Sequence, residues 1–351
     1  MKTKLKKLLV TVMSAAFIPV LLSFPATGAD ASGGEVEINP KNFPDRHFML
    51  HILDKIDIDG NKRLSKQEID NCTKLNVRLS SITDLKGIEY FTSLTYLDCN
   101  RNDLKSLDLS KNTALTYLDC NNNYITSLDV SRNTSLTYLN CNSNDLTSLD
   151  VGNNTELTHL KCHYNVLSSI DVSKNTALEL FTCDNNSLTA LDVSRNTALL
   201  GLSCEENDLG TLDISNNTAL KSLNCRSDLL TSLDLSKNTA LQNLYCSYNE
   251  LTSLDLSKNT DLIILRCEDN RLTSLDISQN TALTNLDCSH NRLTKLYIFK
   301  NTELEFLNCY NNRLTRLNVS NNLKLKCLNC YDNPLEMPIL REGQEIKHLD
   351  Y

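Results

Sequence analysis

The stretch LTYLDCNRNDLKSLDLSKNTA, residues 94–114, decides the fold of this chain, because its pattern recurs in twelve consecutive units of 21 residues. The shared skeleton is L-x-x-L-x-C-x-x-N-x-L-x-x-L-D-hydrophobic-S-x-N. Its cysteines keep a spacing of 21 residues from first to last: Cys99, Cys120, Cys141, Cys162, Cys183, Cys204, Cys225, Cys246, Cys267, Cys288, Cys309 and Cys330. A strict period of this length indicates a solenoid, in which each repeat forms one coil of backbone.

Each unit opens on a short strand. Leu97 and Cys99 alternate with Asp98 and Asn100, which predicts a strand with one buried face. The first eleven positions resemble the leucine-rich-repeat signature L-x-x-L-x-[L/C]-x-x-N-x-L. That resemblance implies a repeat solenoid: an arc with a parallel β-sheet on one face, irregular or extended coils on the other, and here a small α-helical N-terminal cap.

Two rows of asparagine and one of aspartate mark the corners of the coil. Asparagine holds the ninth position in eleven of twelve units, with Asp228 as the exception, and a second row runs from Asn112 to Asn322. Buried amides can satisfy backbone groups at a sharp turn. The aspartates are expected to accept turn N–H groups, with a calcium-lined row as the alternative. They are Asp108, Asp129, Asp150, Asp171, Asp192, Asp213, Asp234, Asp255 and Asp276.

The cysteine ladder is interpreted as a row of small, buried, reduced side chains. Neighbouring strands hold Cα atoms about 4.8 Å apart, but parallel side chains leave the Cβ atoms wider than the ~3.8 Å that a disulfide prefers. Some disulfides, or a metal, are the alternatives. Cys327 and Cys330 spell C-x-x-C, yet they should lie on opposite strand faces.

The chain divides into four predicted parts. Residues 1–31 are predicted to be a secretory signal peptide, because four lysines precede an apolar run and small residues at Ala29 and Ala31 follow it as the expected cleavage site. Residues 32–72 are a linker and helical cap. Residues 73–333 form the solenoid, with one 22-residue opening coil and twelve 21-residue coils. Residues 334–351 are expected to cover the last coil.

The cap contains a sequence that resembles an EF-hand. Asp57, Asp59, Asn61, Ser65 and Glu68 occupy loop positions 1, 3, 5, 9 and 12. The sixth position, normally glycine, is Lys62. The segment is therefore interpreted either as a helical cap alone or as a cap with one weak calcium site. No other cofactor is expected.

These features together resemble the secreted, internalin-type leucine-rich-repeat proteins of bacteria. The resemblance covers about residues 36–351 and includes the transition DLKGIE at residues 84–89. It implies recognition or adhesion outside the cell. Nothing after Lys300 resembles the surface anchor that many internalins carry, so the mature chain is expected to be released, without a membrane span, and monomeric.

The repeat position fixes which side chains point outward from the sheet. Positions 3, 5, 7 and 8 of each unit should face the strand side, where exposed aromatic side chains favour protein or glycan binding. Packing across the sheet is the alternative. The predicted binding surface comprises Tyr96, Tyr117, Tyr138, His159, Tyr164, Tyr245, Tyr248, Arg266, Phe306 and Tyr310.

Charge and motifs argue against other classes of function. The net charge of −8 disfavours nucleic-acid binding. No nucleophile-plus-base motif or phosphate loop occurs. Asp184 and Glu205 should lie about 5 Å apart, the spacing of a retaining glycosidase pair, but no enclosed cleft is evident. The chain is thus predicted not to be an enzyme. The main alternative to a recognition protein is a structural scaffold without a specific ligand. A cell-wall hydrolase is the less favoured alternative.

Overall fold

The computed structural model describes residues 35–351, and its main element is one sheet of fourteen parallel strands. The predicted signal peptide lies outside the described residues. Within residues 35–351, no helix has the length and apolar character needed to cross a bilayer. The N-terminal elements are β1 (Val36–Glu37), α1 (Arg46–Lys55), β2 (Arg63–Leu64) and α2 (Lys66–Asn71), and a 3-10 turn spans Ile88–Tyr90.

The strands of the large sheet are three residues long and follow one another along the chain. They are β3 (Lys74–Asn76), β4 (Tyr96–Asp98), β5 (Tyr117–Asp119), β6 (Tyr138–Asn140), β7 (His159–Lys161), β8 (Leu180–Thr182), β9 (Gly201–Ser203), β10 (Ser222–Asn224), β11 (Asn243–Tyr245), β12 (Ile264–Arg266), β13 (Asn285–Asp287), β14 (Phe306–Asn308), β15 (Cys327–Asn329) and β16 (His348–Asp350).

The pairing register equals the sequence period. Leu75 pairs with Leu97, which confirms the 22-residue opening step, and Leu97 pairs with Leu118 at 21 residues. The register also continues into the tail, where Leu349 pairs with Leu328. The segment after residue 333 therefore covers the last coil by adding one more strand, a feature that the sequence analysis missed.

A continuous apolar core fills the coils and confirms the predicted solenoid. The first, fourth, sixth and eleventh positions of the coils are fully or almost fully buried, as shown by Leu94, Leu97, Cys99 and Leu104, except that Leu335 in the last coil is half-buried. All fourteen cysteines are free thiols. Cys327 lies half-buried on the outer side of β15 and Cys330 is buried, so the two are on opposite faces as predicted.

Side-chain amides satisfy the corners as the sequence predicted. In the first row, Asn123 Nδ2 donates to the carbonyl oxygens of Cys99 and Cys120, at 3.2 and 3.0 Å. In the second row, Asn175 Nδ2 donates to the carbonyl oxygens of Val151 and Asn154, at 3.0 and 2.8 Å. The first-row amide therefore bonds its own coil and the coil before it, whereas the second-row amide bonds two carbonyls of the coil before it, so both rows tie neighbouring coils together.

The aspartate row makes local turns. Asp108 Oδ1 accepts the backbone N–H of Ser110 at 2.9 Å, and the same bond recurs in the later coils.

The backbone conformation of the eighth residue could not be predicted from the residue types at that position. The eighth residue of every unit has a positive φ between 50° and 58°, although none of the twelve is glycine, as at Arg101, Tyr164 and His290. These left-handed residues turn the chain away from the strand.

The cap closes the first coil. Asp45 caps α1 by accepting the N–H of Phe48, and its other oxygen accepts from Thr83 at 2.8 Å. Phe43 and Phe48 are fully buried and meet edge to face at 5.8 Å. In α2, Ser65 and Glu68 form a capping box. The cap thus shields apolar side chains at the start of the array, as repeat proteins require.

Candidate functional site

Three tyrosines form a stacked row at the N-terminal end of the outer sheet face. The rings of Tyr96 and Tyr117 lie 4.3 Å apart at 10°, and those of Tyr117 and Tyr138 lie 4.4 Å apart at 5°. His159 continues the row at 5.9 Å from Tyr138. The in-register strands impose this stack, because they place equivalent side chains about 4.8 Å apart. The expectation of an exposed stripe is wrong in degree: Tyr96, Tyr117 and Tyr138, here called the tyrosine row, are half-buried.

Charge lies beside the tyrosine row. Burial, the neighbouring tyrosines and the carboxylate of Asp119 all raise the pKa of Tyr117 above its usual value. Burial raises the pKa of Asp98, with nearby Asp119 adding to the effect. Lys161 Nζ lies 5.4 Å from the ring centre of Tyr138, on the C-terminal side of the row. Two carboxylates and one cation therefore lie close to the phenol groups of the row.

A shallow depression of about 450 Å³ follows on the same face, between the side chains of Leu180 and Tyr245. It exists because the third position is small in two successive coils, at Gly201 and Ser222. Glu205 lines the depression. This recess was not predicted from the sequence.

The carboxylates around the depression are already engaged. Glu205 accepts from Arg226 Nη1 at 2.9 Å and from Asn224 Nδ2 at 2.6 Å. Arg226 also bonds Glu206 and lies over the ring of Tyr248, with Cζ 4.4 Å from its centre.

Asp184 belongs to the same network. Its Oδ1 accepts the hydroxyl of Ser203 and the N–H of Glu205, and burial raises its pKa. The Asp184–Glu205 pair is thus a bonded network on an open face, and no pair of free carboxylates stands across a cleft there.

The remaining predicted residues lie further along the sheet. Tyr245 and Arg266 are direct neighbours in register, and Arg266 is exposed. Phe306 is half-buried on β14, and Tyr310 meets His290 edge to face at 4.9 Å. Tyr164 is exposed at a left-handed corner. Seven of the ten predicted residues lie within strands and three, Tyr164, Tyr248 and Tyr310, follow them; among the ten, only those from Tyr96 to His159 form a contiguous row.

The EF-hand-like loop brings three acidic residues together. Oxygen atoms from Asp57, Asp59 and Glu68 all lie within 4.8 Å of one another. Lys62 adopts φ 63°, the left-handed conformation that usually requires glycine at that loop position. Asp57 Oδ1 is buried without a hydrogen-bond partner, which leaves one oxygen ready for a cation. Arg63–Leu64 pairs with Val36–Glu37, so the loop is held by a short antiparallel pair.

Other groups in this loop are bonded internally. Glu68 accepts the N–H groups of Ile58 and Ser65, at 2.7 and 2.8 Å. Asp59 accepts the N–H and the side-chain amide of Asn61. The residues suit Ca²⁺ in kind, because all offer oxygen. Their internal bonds explain how the loop also holds its shape as a cap.

The fold and its outer face define the class: a leucine-rich-repeat solenoid built on a cysteine ladder. The functional domain of InlJ from Listeria monocytogenes, which includes a cysteine ladder, is 35% identical, and the alignment covers 87% of this chain and 78% of that one, with a TM-score of 0.64. The chain belongs to the internalin-type leucine-rich-repeat proteins. No family model matches it.

Other relatives show how far the likeness extends. Internalin J from Listeria monocytogenes serotype 4b is 41% identical over 71 residues, which are 20% of this chain and 8% of that protein. The match thus spans a small part of the curated relative. Internalin InlF, at 24% identity and TM-score 0.69, aligns over 86% of this chain and 85% of its own. YopM from Yersinia pestis, at 23% identity and TM-score 0.68, covers 89% of each chain. These last two share the fold.

Proposed function

We propose that this protein is a recognition protein that binds a protein partner through the strand side of its sheet, with the tyrosine row carrying part of the contact. One observation supports this most. The third position of the coil accepts Gly201 and Ser222, so folding does not require an aromatic side chain there. Three consecutive tyrosines at that position therefore suggest selection for contact, and tyrosine is enriched where binding energy concentrates.

The geometry of the row favours a protein over a glycan. Sugar rings bind aromatic side chains mainly by lying flat on a ring face. The faces within the tyrosine row are occupied by one another, at 4.3 and 4.4 Å. What remains is a line of ring edges and hydroxyl groups, which suits hydrogen bonds and edge contacts with a polypeptide. Among proteins of the same fold, the plant peptide hormone receptor RGFR1 forms a complex with RGF2.

We also propose that the protein acts outside the cell. The signal-like sequence at residues 1–31 and the internalin family both support this. Buried ladder thiols are compatible with that location, since burial raises their pKa and keeps them from reacting as thiolates.

The test is a binding screen with matched variants. Residues 35–351 would be applied to an array of extracellular protein domains and, in parallel, to a glycan array. A saturable protein ligand is expected. The variant with Tyr96, Tyr117 and Tyr138 all changed to Phe should keep the stacked row but lose its hydroxyls. It should weaken binding about tenfold or more, as loss of central contacts does.

Two results would contradict this proposal. Binding to glycans that survives the triple Phe change would exclude the protein-contact assignment of the row. Hydrolysis of cell-wall glycans, abolished by Glu205→Gln, would restore the enzyme hypothesis. Tyr124→Phe provides the control, because this tyrosine is exposed away from the row and should leave binding unchanged.

A second candidate function is calcium binding by the cap. The observation that favours it is the unpartnered, buried Oδ1 of Asp57 beside Asp59 and Glu68. Bound Ca²⁺ would neutralise the three carboxylates and cross-link the loop to α2. We expect one site at most, with a dissociation constant of about 10⁻⁴–10⁻³ M, as in extracellular modules.

Calorimetric titration of residues 35–351 with Ca²⁺ tests this. Asp57→Asn should abolish the heat of Ca²⁺ binding. Asp108→Asn, in the aspartate row, should leave it unchanged. A stoichiometry well above one would assign calcium to the aspartate row instead, and absence of heat at millimolar Ca²⁺ would leave the cap a purely structural element.

A further inference from the structure

The tenth coil departs from the repeat at three alternate positions on the side away from the strands. Position 13 is Ser, Ala or Thr in the first nine coils but Lys295 in the tenth. Position 15 is Asp in those nine and Tyr297 here. Position 17 is Ser or Gly and becomes Phe299. A small, acidic edge is thereby replaced by a basic and aromatic one in a single coil.

The two aromatic side chains are not part of the core. Tyr297 is 73% exposed and Phe299 is 68% exposed, while Ile298 between them is buried. Together they form an exposed apolar surface, and contiguous surfaces of this kind mark interaction sites more often than single exposed residues do. The local Asx turn of the other coils is also given up, since Tyr297 cannot accept the N–H that aspartate accepts.

The neighbouring coils turn these aromatics into one wall of a cleft. Positions equivalent to Tyr297 hold Asn318 in the next coil and Ile339 in the one after, and Asn318 and Ile339 form a parallel bridge. The small Asn318 therefore lies between two larger side chains, whose coils are about 10 Å apart. The result is a cleft of about 370 Å³, here called the back-face cleft.

Two cations border the back-face cleft. Lys295 and Arg316 both line it and both are exposed. Among residues 35–351, neither takes part in an ion pair. A comparable recess in the first two coils is instead lined by two carboxylates, Asp108 and Asp129, and one cation, Arg132. The charge of the back-face cleft is thus specific to this place in the array.

We propose that the back-face cleft is a second binding site, which takes an acidic peptide segment of a partner protein by inserting one aromatic or large aliphatic side chain. The apolar wall of Tyr297, Phe299 and Ile339 would cover that side chain. Lys295 and Arg316 would pair with carboxylates on either side of it. The site is separate from the strand side, so the proposal stands independently of the function proposed above.

The chain offers a matched variant for the test. Tyr297→Asp combined with Phe299→Ser restores the residues that eight of the first nine coils carry at both positions, so folding should be preserved. Thermal unfolding followed by circular dichroism checks this directly. Tyr124→Asp is the control for loss of an exposed tyrosine, since the preceding coil has Asp103 at that position.

Because the protein contains no tryptophan, a tryptophan peptide reports binding without background. The probe is the blocked peptide Asp-Asp-Trp-Asp-Asp, and the comparison is Lys-Lys-Trp-Lys-Lys. The acidic peptide should bind with saturation, shift its emission to shorter wavelength and weaken with added salt. The Tyr297→Asp/Phe299→Ser variant should bind at least about tenfold more weakly, and Lys295→Ser should reduce the salt dependence.

Three outcomes would overturn the proposal. The basic peptide binds as well as the acidic one; the double variant binds the acidic peptide unchanged; or sedimentation shows self-association that the double variant abolishes and the acidic peptide does not compete with. The last outcome would assign the cleft to a second copy of this chain. Retained binding to a strand-side partner in the double variant would keep the two sites distinct.

Discussion

Asp228 Oδ2 lies 3.3 Å from Cys204 Sγ, so the one carboxylate in the ladder of corner asparagines meets a buried thiol. Asp228 is fully buried, and burial raises its pKa to about 7. An asparagine here could donate to carbonyl oxygens, as Asn249 does to Cys225 and Cys246, whereas a carboxylate cannot. The seventh coil also has a second left-handed residue, Leu229.

We therefore predict that Asp228 makes stability depend on pH. Its folded pKa lies above its unfolded value, so the native state favours the neutral acid. The stability is fully present below about pH 4 and is lost as the pH rises through about 7, with a shift of this size worth on the order of a few kcal/mol. Urea unfolding at pH 4.5, 6 and 8 should show this loss in the wild type.

Asp228→Asn should remove most of that pH dependence and raise stability at pH 8, because it restores the amide donors of the row. Asp184 and Glu205 add to the electrostatic field at this site and are present in both proteins. Their contribution largely cancels in the difference. Parallel pH profiles for the two proteins would contradict the assignment.

In the native protein, one cysteine should react with a thiol reagent and the other thirteen should be protected. Cys327 is half-buried on the outer sheet face, and the other cysteines are buried. Burial raises the pKa of Cys72 to about 11 and that of Cys246 to about 12, so few thiolates form at neutral pH. A thiol reagent should label Cys327 quickly in the native protein, and Cys327→Ser should abolish that fast phase.

Denaturation without a reductant should then expose fourteen reactive thiols. Ten or more oxidised cysteines would show that the ladder forms disulfides despite its parallel geometry.

The second asparagine row should matter more than the aspartate row. Asn175 is fully buried and supplies the side-chain amide that bonds the carbonyls of Val151 and Asn154. Asn175→Ala would strand both carbonyls and should lower the free energy of unfolding by at least about 2 kcal/mol. Asp171→Ala, which removes an exposed turn bond to Ser173, should cost about 0.5 kcal/mol. Equal costs in chemical unfolding would contradict this ranking.

The tyrosine row should also contribute to stability, since its rings pack. Tyr117 stacks on both Tyr96 and Tyr138, and each such pair is worth about 0.5–1.5 kcal/mol beyond burial. Tyr117→Ala should therefore lower unfolding free energy by about 1–3 kcal/mol. Tyr117→Phe should change it by no more than about 0.5 kcal/mol. If Tyr117→Ala is as stable as the wild type, the stack is not a packing element.

The fold was predictable because each coil makes the same contacts with the coil before it and the coil after it. Once Leu97 pairs with Leu118, the same pairing follows for each later coil, and the buried positions repeat with it. The last strand was missed because Leu349 keeps the pattern while Tyr351 replaces the cysteine. The left-handed eighth residue was missed because residues as different as Arg101 and Tyr164 occupy it.

The candidate sites were harder to predict, because they depend on departures from the repeat. Position alone placed Tyr96, Tyr117 and Tyr138 on one face. It did not show that in-register stacking would cover their ring faces. The sequence does indicate the position of the back-face cleft, since Tyr297 and Phe299 replace the Asp and Ser found at the same repeat positions in earlier coils. The depth of that cleft depends on the smaller side chain of Asn318 in the next coil, which only the assembled structure relates to the aromatics.

Because the register is unbroken, equivalent side chains are evenly spaced along the whole sheet. Each coil advances an outward side chain by one strand spacing, about 4.8 Å, whatever residue it carries. Tyr117 and Tyr245 are six strands apart, from β5 to β11, so about 29 Å of sheet separates them. Adding or removing a whole coil between them would lengthen or shorten that distance by one strand spacing. The rows of buried cysteines and corner asparagines would stay in register. The distance between two contact residues on the outer face can thus change in discrete steps while the core stays the same.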